Sequence, residues 1–178
     1  MSRGRIQAFR VLAVDPSTRG FGFAVVERRN QLVDWGVKRV IGRNKNAASL
    51  AKVLALIRWY EPDVLVVEDC RAAGARRCAR VRTLINDLEG LAANRQVPTV
   101  RISSTRVREV CGGSRSATKE QIAAALVTRF PELSPRLPPH RKPWMSEDVR
   151  MSMFDAVALA VTHFDLSGRL QIASRKPA

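Results

Sequence analysis

The sequence predicts an α/β fold, a mixed five-stranded sheet flanked by helices, in a single domain over residues 1–178 with loose basic termini. Three observations support this prediction: apolar runs typical of buried strands, apolar stripes at helical spacing, and turn residues between these segments. A chain of 178 residues with 46% hydrophobic residues is long enough for one domain with a sizeable core. No repeat and no linker divides it.

The chain begins with three predicted strands. Residues 11–27 combine a buried strand, a Pro-Ser-Thr-Gly turn and a second strand of small apolar residues. Residues 31–42 predict a third strand, which would complete an antiparallel meander. A helix is predicted over residues 47–60, and Glu61-Pro62 ends it because the residue before proline is disfavoured in a helix. Its apolar stripe consists of Leu50, Val53, Leu54 and Ile57.

The middle of the chain predicts a strand buried on both faces. Residues 63–68, DVLVVE, form a continuous apolar run. The strand–helix–strand connection indicates that this strand is parallel to the first, and neighbouring strands lie ~4.8 Å apart. A long helix ending near residue 94 and a fifth strand over residues 98–103 follow. The stripe of that helix would serve the core, a dimer partner, or both: Val81, Leu84, Ile85, Leu88 and Leu91.

The last third predicts helices separated by a proline-rich loop. Two short helices are expected around Gly112-Gly113, and five prolines in residues 131–144 predict an irregular loop. Ser146 is a suitable N-cap for the final helix, with Glu147 and Asp148 in its first turn. The helix is expected to end near residue 164 and to be followed by a loose basic tail.

Composition points to a polyanionic partner. The net charge is +15, from 31 Lys and Arg against 16 Asp and Glu. A solvated charged surface is the alternative, but the arginines are spread along the chain, and phosphate contact is favoured where basic residues accompany Ser and Thr. The candidate nucleic-acid contacts are Arg71, Arg76, Arg77, Arg80, Arg106, Arg108, Arg115 and Lys119.

The three cysteines lack the spacing of a zinc site or a disulfide framework. They fit a reducing compartment, and we expect a cytoplasmic, nucleoid-associated location, with the mitochondrial matrix as the less favoured alternative. No apolar run approaches the ~20 residues of a membrane span, so no membrane partner is expected.

Three carboxylates stand in apolar settings. Asp15 ends the first strand, Glu68 ends the DVLVVE strand, and Asp155 lies in an apolar helix. An ionised group beside a hydrophobic run is costly unless it is paired or binds metal. Each also has an ordinary interpretation: a turn residue, a solvated strand end, or a salt bridge within a helix. Together, in so basic a chain, they favour metal-dependent phosphodiester hydrolysis, with Mg²⁺, or Mn²⁺ as an alternative, and no other small-molecule cofactor.

Four segments resemble the RuvC-type Holliday-junction resolvases. These are the apolar-Asp-Pro-Ser strand around Asp15, VVED at residues 66–69, SATKEQI at 116–122 and FDAVALAVTH at 154–163. The resemblance implies a ribonuclease H-like fold and a homodimer that cuts branched, four-way DNA junctions, with the dimer seam on the long helix. It also implies two metal ions bridged by Asp15, with Glu68 and Asp155 completing the site. Arg108 and Lys119 fall at functional basic positions of the family.

Three features depart from the family pattern, one of them the turn after Asp15, which is DPST rather than DPGS. Ser152 stands where the resolvases usually carry a further acid, and Arg71 stands where some carry a junction-probing aromatic residue. The fourth ligand is therefore Ser152 or Asp148, although Asp148 would lie ~10.5 Å from Asp155 along a regular helix. Two other functions stay open: a related nuclease acting on flaps, forks or structured RNA, and a nucleic-acid-binding module whose site has decayed.

Overall fold

The computed structural model describes residues 8–72, 77–142 and 144–173. A 3₁₀ helix (Pro131–Arg136) lies between the fourth and fifth α-helices. The strands and α-helices are β1 (Arg10–Ser17), β2 (Gly20–Glu27), β3 (Gln31–Arg39), α1 (Lys45–Tyr60), β4 (Val64–Glu68), α2 (Ala79–Ala93), β5 (Thr99–Ile102), α3 (Ser104–Gly112), α4 (Lys119–Arg129) and α5 (Met151–Ala173).

The five strands form one mixed sheet in the order β3-β2-β1-β4-β5. β1 pairs antiparallel with β2, and β2 pairs antiparallel with β3. β4 is parallel to both β1 and β5. The meander and the parallel placement of β4 beside β1 are therefore confirmed.

Both faces of the sheet are buried, because successive side chains of each strand point to opposite sides. Val11 and Ala13 of β1 pack in a core with α4 and α5. Leu12 and Val14 pack in a second core with α1 and α2. This two-sided burial explains why the central strands are apolar throughout rather than alternating.

The apolar stripe of α2 is buried inside the chain. Leu84 and Leu88 are both 0% exposed in the core that α1 and α2 form with the sheet, and Leu91 packs against that core. The stripe therefore serves the core, one of the roles left open for it, and it gives no support of its own to a dimer seam on this helix. The outward face of α2 is polar and includes Arg82, Thr83, Asn86 and Asp87.

The predicted bounds of α5 were wrong at both ends. The helix begins at Met151 and not after Ser146, because Asp148 forms local bonds instead. The Asp148 carboxylate accepts bonds from the backbone and side chain of Arg150, at 2.9 Å from its N and 3.0 Å from its Nε. Such side-chain-to-backbone bonds compete with helical bonding.

At its other end α5 continues to Ala173, where a loose tail was expected. Asp165 accepts a bond of 2.8 Å from Arg29 Nε and lies 3.5 Å from Arg129 Nη1, so the extension is tied to the β2–β3 turn and to the end of α4. Residues 1–7 and 174–178, the expected loose termini, lie outside the described residues. Among those described, no helix has the length and apolarity needed to cross a membrane.

Candidate active site

Asp15 and Glu68 lie side by side at the carboxyl ends of two parallel strands. Val14 of β1 pairs with Val67 of β4, so the next residues along both strands are neighbours. Each carboxylate follows a core residue two positions earlier that faces α5, and it therefore points to the same side of the sheet. The expected meeting of the two acids follows from this register.

Asp155 reaches the same edge because α5 packs directly on β2. Gly22 is the β2 partner of Asp15, and a Cβ at Gly22 would collide with the backbone of the first turn of α5. The missing side chain lets the helix approach the strand closely. Asp155, one turn further along, then lines a cavity of about 70 Å³ together with Asp15 and Glu68.

Arg77, predicted as a DNA contact, lies inside this group of acids. Its Nη2 donates to Asp15 Oδ1 at 2.6 Å, and its Nε donates to Glu68. Its Nη1 donates to the carbonyl of Pro16 at 3.1 Å. All three guanidinium nitrogens are thus engaged, two of them by candidate metal ligands.

Lys119 occupies the other side of the cavity. Its Nζ lies 2.7 Å from Asp155 Oδ2 and 2.8 Å from Glu147 Oε1. Lys119 is the first residue of α4, where the helix dipole disfavours a positive charge. The two carboxylates, rather than helix stability, therefore explain a lysine at this position.

The buried carboxylates hold their protons more tightly than carboxylates in water. Burial raises the pKa of Asp15 to about 8; Arg77 opposes this shift, and Asp155 and Glu68 add to it. Burial also raises the pKa of Asp155, against the opposing effect of Lys119. Burial disfavours the charged form of an acid, and a positive charge beside it, such as Arg77 or Lys119, favours the ionised form.

The two predicted alternatives for a fourth ligand are both engaged elsewhere. Asp148 is bonded to Arg150, which lowers the pKa of Asp148. The Ser152 hydroxyl donates to the carbonyl of Val149 at 2.8 Å. Glu147 shares Lys119 with Asp155 and is the acid that the sequence analysis missed. It was overlooked because the helix was predicted to start too early.

Four of the predicted DNA contacts have exposed side chains. Arg108 lines the cavity of the acids, and Arg106 and Arg115 both pair with Glu109, Arg106 at 3.0 Å. They form a basic surface on α3 and on the turn that follows it. A further exposed arginine lies in the turn after β4, so the exposed set is Arg71, Arg106, Arg108 and Arg115.

Arg80, also predicted as a DNA contact, makes bonds within the protein. Its Nη2 donates to the carbonyl of Ser17 at 2.6 Å, and its Nη1 donates to Asn46 Oδ1 at 2.8 Å. These bonds tie α2 to the end of β1 and to the start of α1, so Arg80 supports the fold around the site. Arg76 lies outside the described residues.

A second basic surface escaped the sequence analysis. A cleft of about 440 Å³ beside Glu147 and Asp148 is lined by several cations. Arg39 is adjacent to Arg19 because it pairs with Gly20 across the hairpin. The register of that hairpin was the signal that could have found this pair. The acids that line the cleft are Glu120, Glu147 and Asp148, and its basic residues are Arg19, Arg39, Lys119, His140 and Arg141.

The donor set fits a hard divalent cation. Within the described residues, no three His, Cys, Asp or Glu side chains converge in the arrangement of a ready-made metal site. Arg77 and Lys119 instead hold the three carboxylates through ion pairs. Carboxylate oxygens from three separate elements around a small cavity nevertheless suit Mg²⁺, which takes oxygen ligands and keeps several waters.

Comparison with known proteins identifies the family. The sequence model described as crossover junction endodeoxyribonuclease RuvC matches residues 11–163 of this chain. The chain belongs to the RuvC family. This membership confirms the prediction of a Holliday-junction-resolving nuclease, and the matched range includes Asp15, Glu68 and Asp155.

Curated RuvC proteins from two bacteria are similar to the chain. RuvC of Cytophaga hutchinsonii is 24% identical over 168 residues, which cover 89% of this chain and 77% of that protein. RuvC of Hydrogenovibrio crunogenus is 26% identical over 126 residues, which cover 65% of this chain and 72% of that protein. Both carry the description crossover junction endodeoxyribonuclease.

Solved structures of RuvC proteins share the fold. Thermus thermophilus RuvC matches with a TM-score of 0.67 and 20% identity, covering 92% of this chain and 97% of the other. The same protein in complex with a Holliday junction substrate gives a TM-score of 0.66 at 19% identity, covering 92% and 96%. A yeast mitochondrial Holliday junction resolvase gives 0.59 at 14% identity, covering 92% and 81%. The ribonuclease H-like architecture is thereby confirmed.

Proposed function

We propose that Asp15, Glu68 and Asp155 are the catalytic metal ligands with which this RuvC-family chain cleaves four-way DNA junctions. The observation that carries the proposal is their convergence on one cavity from β1, β4 and α5. The proposed ions are Mg²⁺ or Mn²⁺, two per site. When bound, they supply the charge that activates an attacking water and stabilises the leaving oxygen.

The residues around the acids suit a phosphate group. Arg108 and Lys119 line the same cavity as the carboxylates and bring positive charge to it. A phosphate seated there would accept bonds from these two side chains, which would orient it toward the acids. Lys119 also holds Asp155 and Glu147 in place, so it acts both on the substrate and on the ligand set.

Charge-neutral substitutions test the assignment. Asp15→Asn and Glu68→Gln each remove a negative charge with little change in side-chain volume. We expect the cleavage rate of either variant to fall by more than ~10–100-fold, the loss that is typical when a residue that only supports a metal ligand is replaced. Junction binding should persist. Asp87→Asn, on the exposed face of α2, is the matched control. Cleavage by either variant at the parental rate would refute the metal-site assignment.

Substrate choice is tested with a panel of DNA and RNA structures. We expect an immobile four-way junction to be cut faster than a fork, a flap, a duplex or an RNA–DNA hybrid, each with Mg²⁺ or Mn²⁺. Binding measured in parallel by gel shift separates a loss of recognition from a loss of chemistry. Preferential cutting of forks, flaps or structured RNA would point to another specificity within the ribonuclease H-like fold.

A homodimer is part of the same proposal. Paired incision across a symmetric junction needs two active sites related by a two-fold axis. The buried stripe of α2 no longer supports this expectation, so it depends on family membership and on the symmetry of the substrate. Sedimentation at micromolar concentration should show a dimer, and a monomer both with and without junction DNA would contradict it.

A further inference from the structure

Arg77 makes contacts that a DNA-binding arginine does not need. Its guanidinium lies against the two acids at the carboxyl ends of β1 and β4, with 2.6 Å to Asp15 and a bond to Glu68. Asp15 has a side-chain exposure of 3% and Glu68 one of 12%, so neither can rely on water to balance its charge. Arg77 therefore serves as the counter-ion of this acid pair.

The same carboxylate oxygens cannot serve Arg77 and a metal ion equally well. Mg²⁺ binds carboxylate oxygens at ~2.1 Å and completes its shell with water. The cavity of about 70 Å³ that the acids share is also lined by Arg77, which adds a positive charge to it. Binding of a cation there works against the guanidinium, both through the shared oxygens and through charge repulsion.

Arg77 also borders a second groove, and Asp15, like Arg77, lines both this groove and the acids' cavity. This groove, of about 430 Å³, is lined by the β1–β2 turn with Thr18 and Arg19, by Cys78, and by the carboxylates Glu147 and Asp148, which pair with Lys119 and Arg150. Arg77 lies in the connection between β4 and α2, outside both elements. Because Arg77 lines both spaces, reorientation of its side chain would carry the guanidinium from Asp15 and Glu68 toward Arg19.

We propose that Arg77 is an exchangeable counter-ion: it holds Asp15 and Glu68 together until a divalent metal ion displaces it, and it then binds a phosphate of the DNA. This inference rests on the proposed metal site. The displaced guanidinium joins Arg19 on the substrate side, so metal binding adds one cation to the DNA-contacting surface. Coupling between two ligands is reciprocal, so junction DNA must also tighten metal binding.

Metal affinity, measured without DNA and without turnover, provides the first test. Mn²⁺ binding followed by electron paramagnetic resonance should be ~10-fold tighter in Arg77→Ala than in the parent, within the range of typical coupling free energies. Arg77→Gln, which retains hydrogen bonding without the charge, should also bind more tightly, and Arg77→Lys should stay near the parent. Arg80→Ala is the matched control because its bonds go to Ser17 and Asn46 and to no carboxylate.

Thermal unfolding gives a second readout that applies to any variant that folds. In EDTA, Arg77→Ala and Arg77→Gln should melt below the parent, because the buried acids lose their counter-ion. Addition of Mg²⁺ should raise the melting temperature of these variants by more than it raises that of the parent. A merely structural role for Arg77 would give a deficit that Mg²⁺ leaves unchanged.

DNA binding tests the second half of the exchange. The salt dependence of junction binding should be steeper in Ca²⁺ than in EDTA for the parent, by ~0.9 in slope for one additional phosphate neutralised. Arg77→Ala should show no such difference between the two conditions. An equal slope difference in parent and variant would overturn the transfer of Arg77 to phosphate.

The outcomes distinguish this inference from the proposed function. If the parent and Asp15→Asn bind Mn²⁺ equally, the metal site itself is misassigned and the exchange is refuted with it. If the parent binds Mn²⁺ through Asp15 but Arg77→Ala and Arg77→Gln bind it no more tightly, only the exchange is overturned. Weaker Mn²⁺ binding in both variants would make Arg77 a support of the metal site rather than a competitor.

Discussion

At the scale of single residues, the site is an arrangement of three acids and two cations. Arg77 neutralises Asp15 and Glu68, and Lys119 neutralises Asp155. A buried carboxylate without a partner would be strongly destabilising, so these ion pairs keep the acids in place when no metal is bound. The same pairs make the site responsive to divalent cations, since a metal ion can take the place of the basic side chain beside each carboxylate.

The acids around α5 are expected to differ in importance. Asp155→Asn should abolish cleavage, Glu147→Gln should reduce it by ~10–100-fold through the shared Lys119, and Asp148→Asn should have little effect. Asp148 is already satisfied by Arg150, which accounts for its small role. Cleavage rates across a Mg²⁺ titration would measure the three effects.

A fourth variant, Ser152→Asp, probes the place where the family usually carries an acid, and we expect it to preserve or improve cleavage in Mg²⁺. A fully inactive but folded Asp148→Asn protein would show that Asp148 leaves Arg150 to become a ligand. In that case the order of importance given for Glu147 and Asp148 would be reversed.

Tyr60 provides a pH-dependent prediction at the same scale. It is the single tyrosine of the chain, and its hydroxyl donates to Asp34 Oδ2 at 2.5 Å. Burial and the Asp34 carboxylate raise the pKa of Tyr60 to about 12, above the value of ~10 in an unfolded chain. Its contribution to the free energy of unfolding is therefore present below pH ~10 and is lost as the pH rises through the folded pKa.

Tyrosinate absorbance reports Tyr60 alone and would measure this shift directly. The transition should lie well above that of the protein unfolded in urea, and Asp34→Asn should move it back toward the unfolded value. Identical transitions in the folded parent and in Asp34→Asn would show that Asp34 does not hold the proton of Tyr60.

At the scale of secondary-structure elements, one close contact sets the geometry of the site. The first turn of α5 packs on β2 at Gly22, directly beside the paired Asp15. This contact brings Asp155 to the end of the sheet that already carries Glu68. The strand register supplies two acids, and helix packing on a glycine supplies the third.

Gly22→Ala should therefore misplace α5. The added methyl group would collide with the helix backbone, which cannot yield as a flexible side chain can. We expect a loss of ~1–3 kcal/mol in the free energy of unfolding and a loss of cleavage beyond what that destabilisation explains.

The matched control for this variant is Gly90→Ala. Gly90 lies within α2 with no atom near the added Cβ, and the substitution should stabilise the protein by ~0.5–1 kcal/mol. Urea unfolding and cleavage of the junction would be measured together for both variants. Parental stability and activity in Gly22→Ala would contradict the close packing of α5 on β2.

At the scale of the whole molecule, several exposed arginines lie near the acid cavity. The exposed arginines on α3 and on the turn after it lie on the face of the sheet that also carries α5. The cleft with Arg19, Arg39 and Arg141 extends this basic surface past Glu147. Within a chain of net charge +15, these basic surfaces beside the cavity are expected to attract a polyanion toward the carboxylates.

Removal of charge from this surface should flatten the salt dependence of junction binding. The triple variant of Arg106, Arg108 and Arg115 to Ser should lower the slope by ~0.9 for each phosphate that the protein no longer neutralises. Replacing Lys52 and Arg58 on α1, which packs on the opposite face of the sheet, is the matched control.

Fluorescence anisotropy at several salt concentrations would measure both slopes. Equal slopes in the triple variant and in the control would place the DNA on another surface. Substitution of Arg80, by contrast, should mainly lower the free energy of unfolding, because its bonds are internal. Its effect on the salt dependence of junction binding should be smaller.

Periodic patterns in the sequence determined most of the architecture. Continuous apolar runs predict strands buried on both faces, and stripes at helical spacing predict helices, because each pattern is a local consequence of backbone geometry. The parallel placement of β4 follows from its helical connection, and this places Asp15 and Glu68 together. Asp155 was singled out because it lies in an otherwise apolar helix, and the resemblance to the family motif then assigned it to the same site.

Only the tertiary structure decided which cations the acids hold and where α5 begins. Arg77 meets Asp15 across 62 residues of sequence, and no local pattern encodes such a pairing. Asp148 delays the helix through a local bond that competes with a plausible N-cap at Ser146. The α2 stripe was ambiguous for the same reason: apolar spacing shows that a face is buried but not which surface covers it, and here the sheet of the same chain covers it.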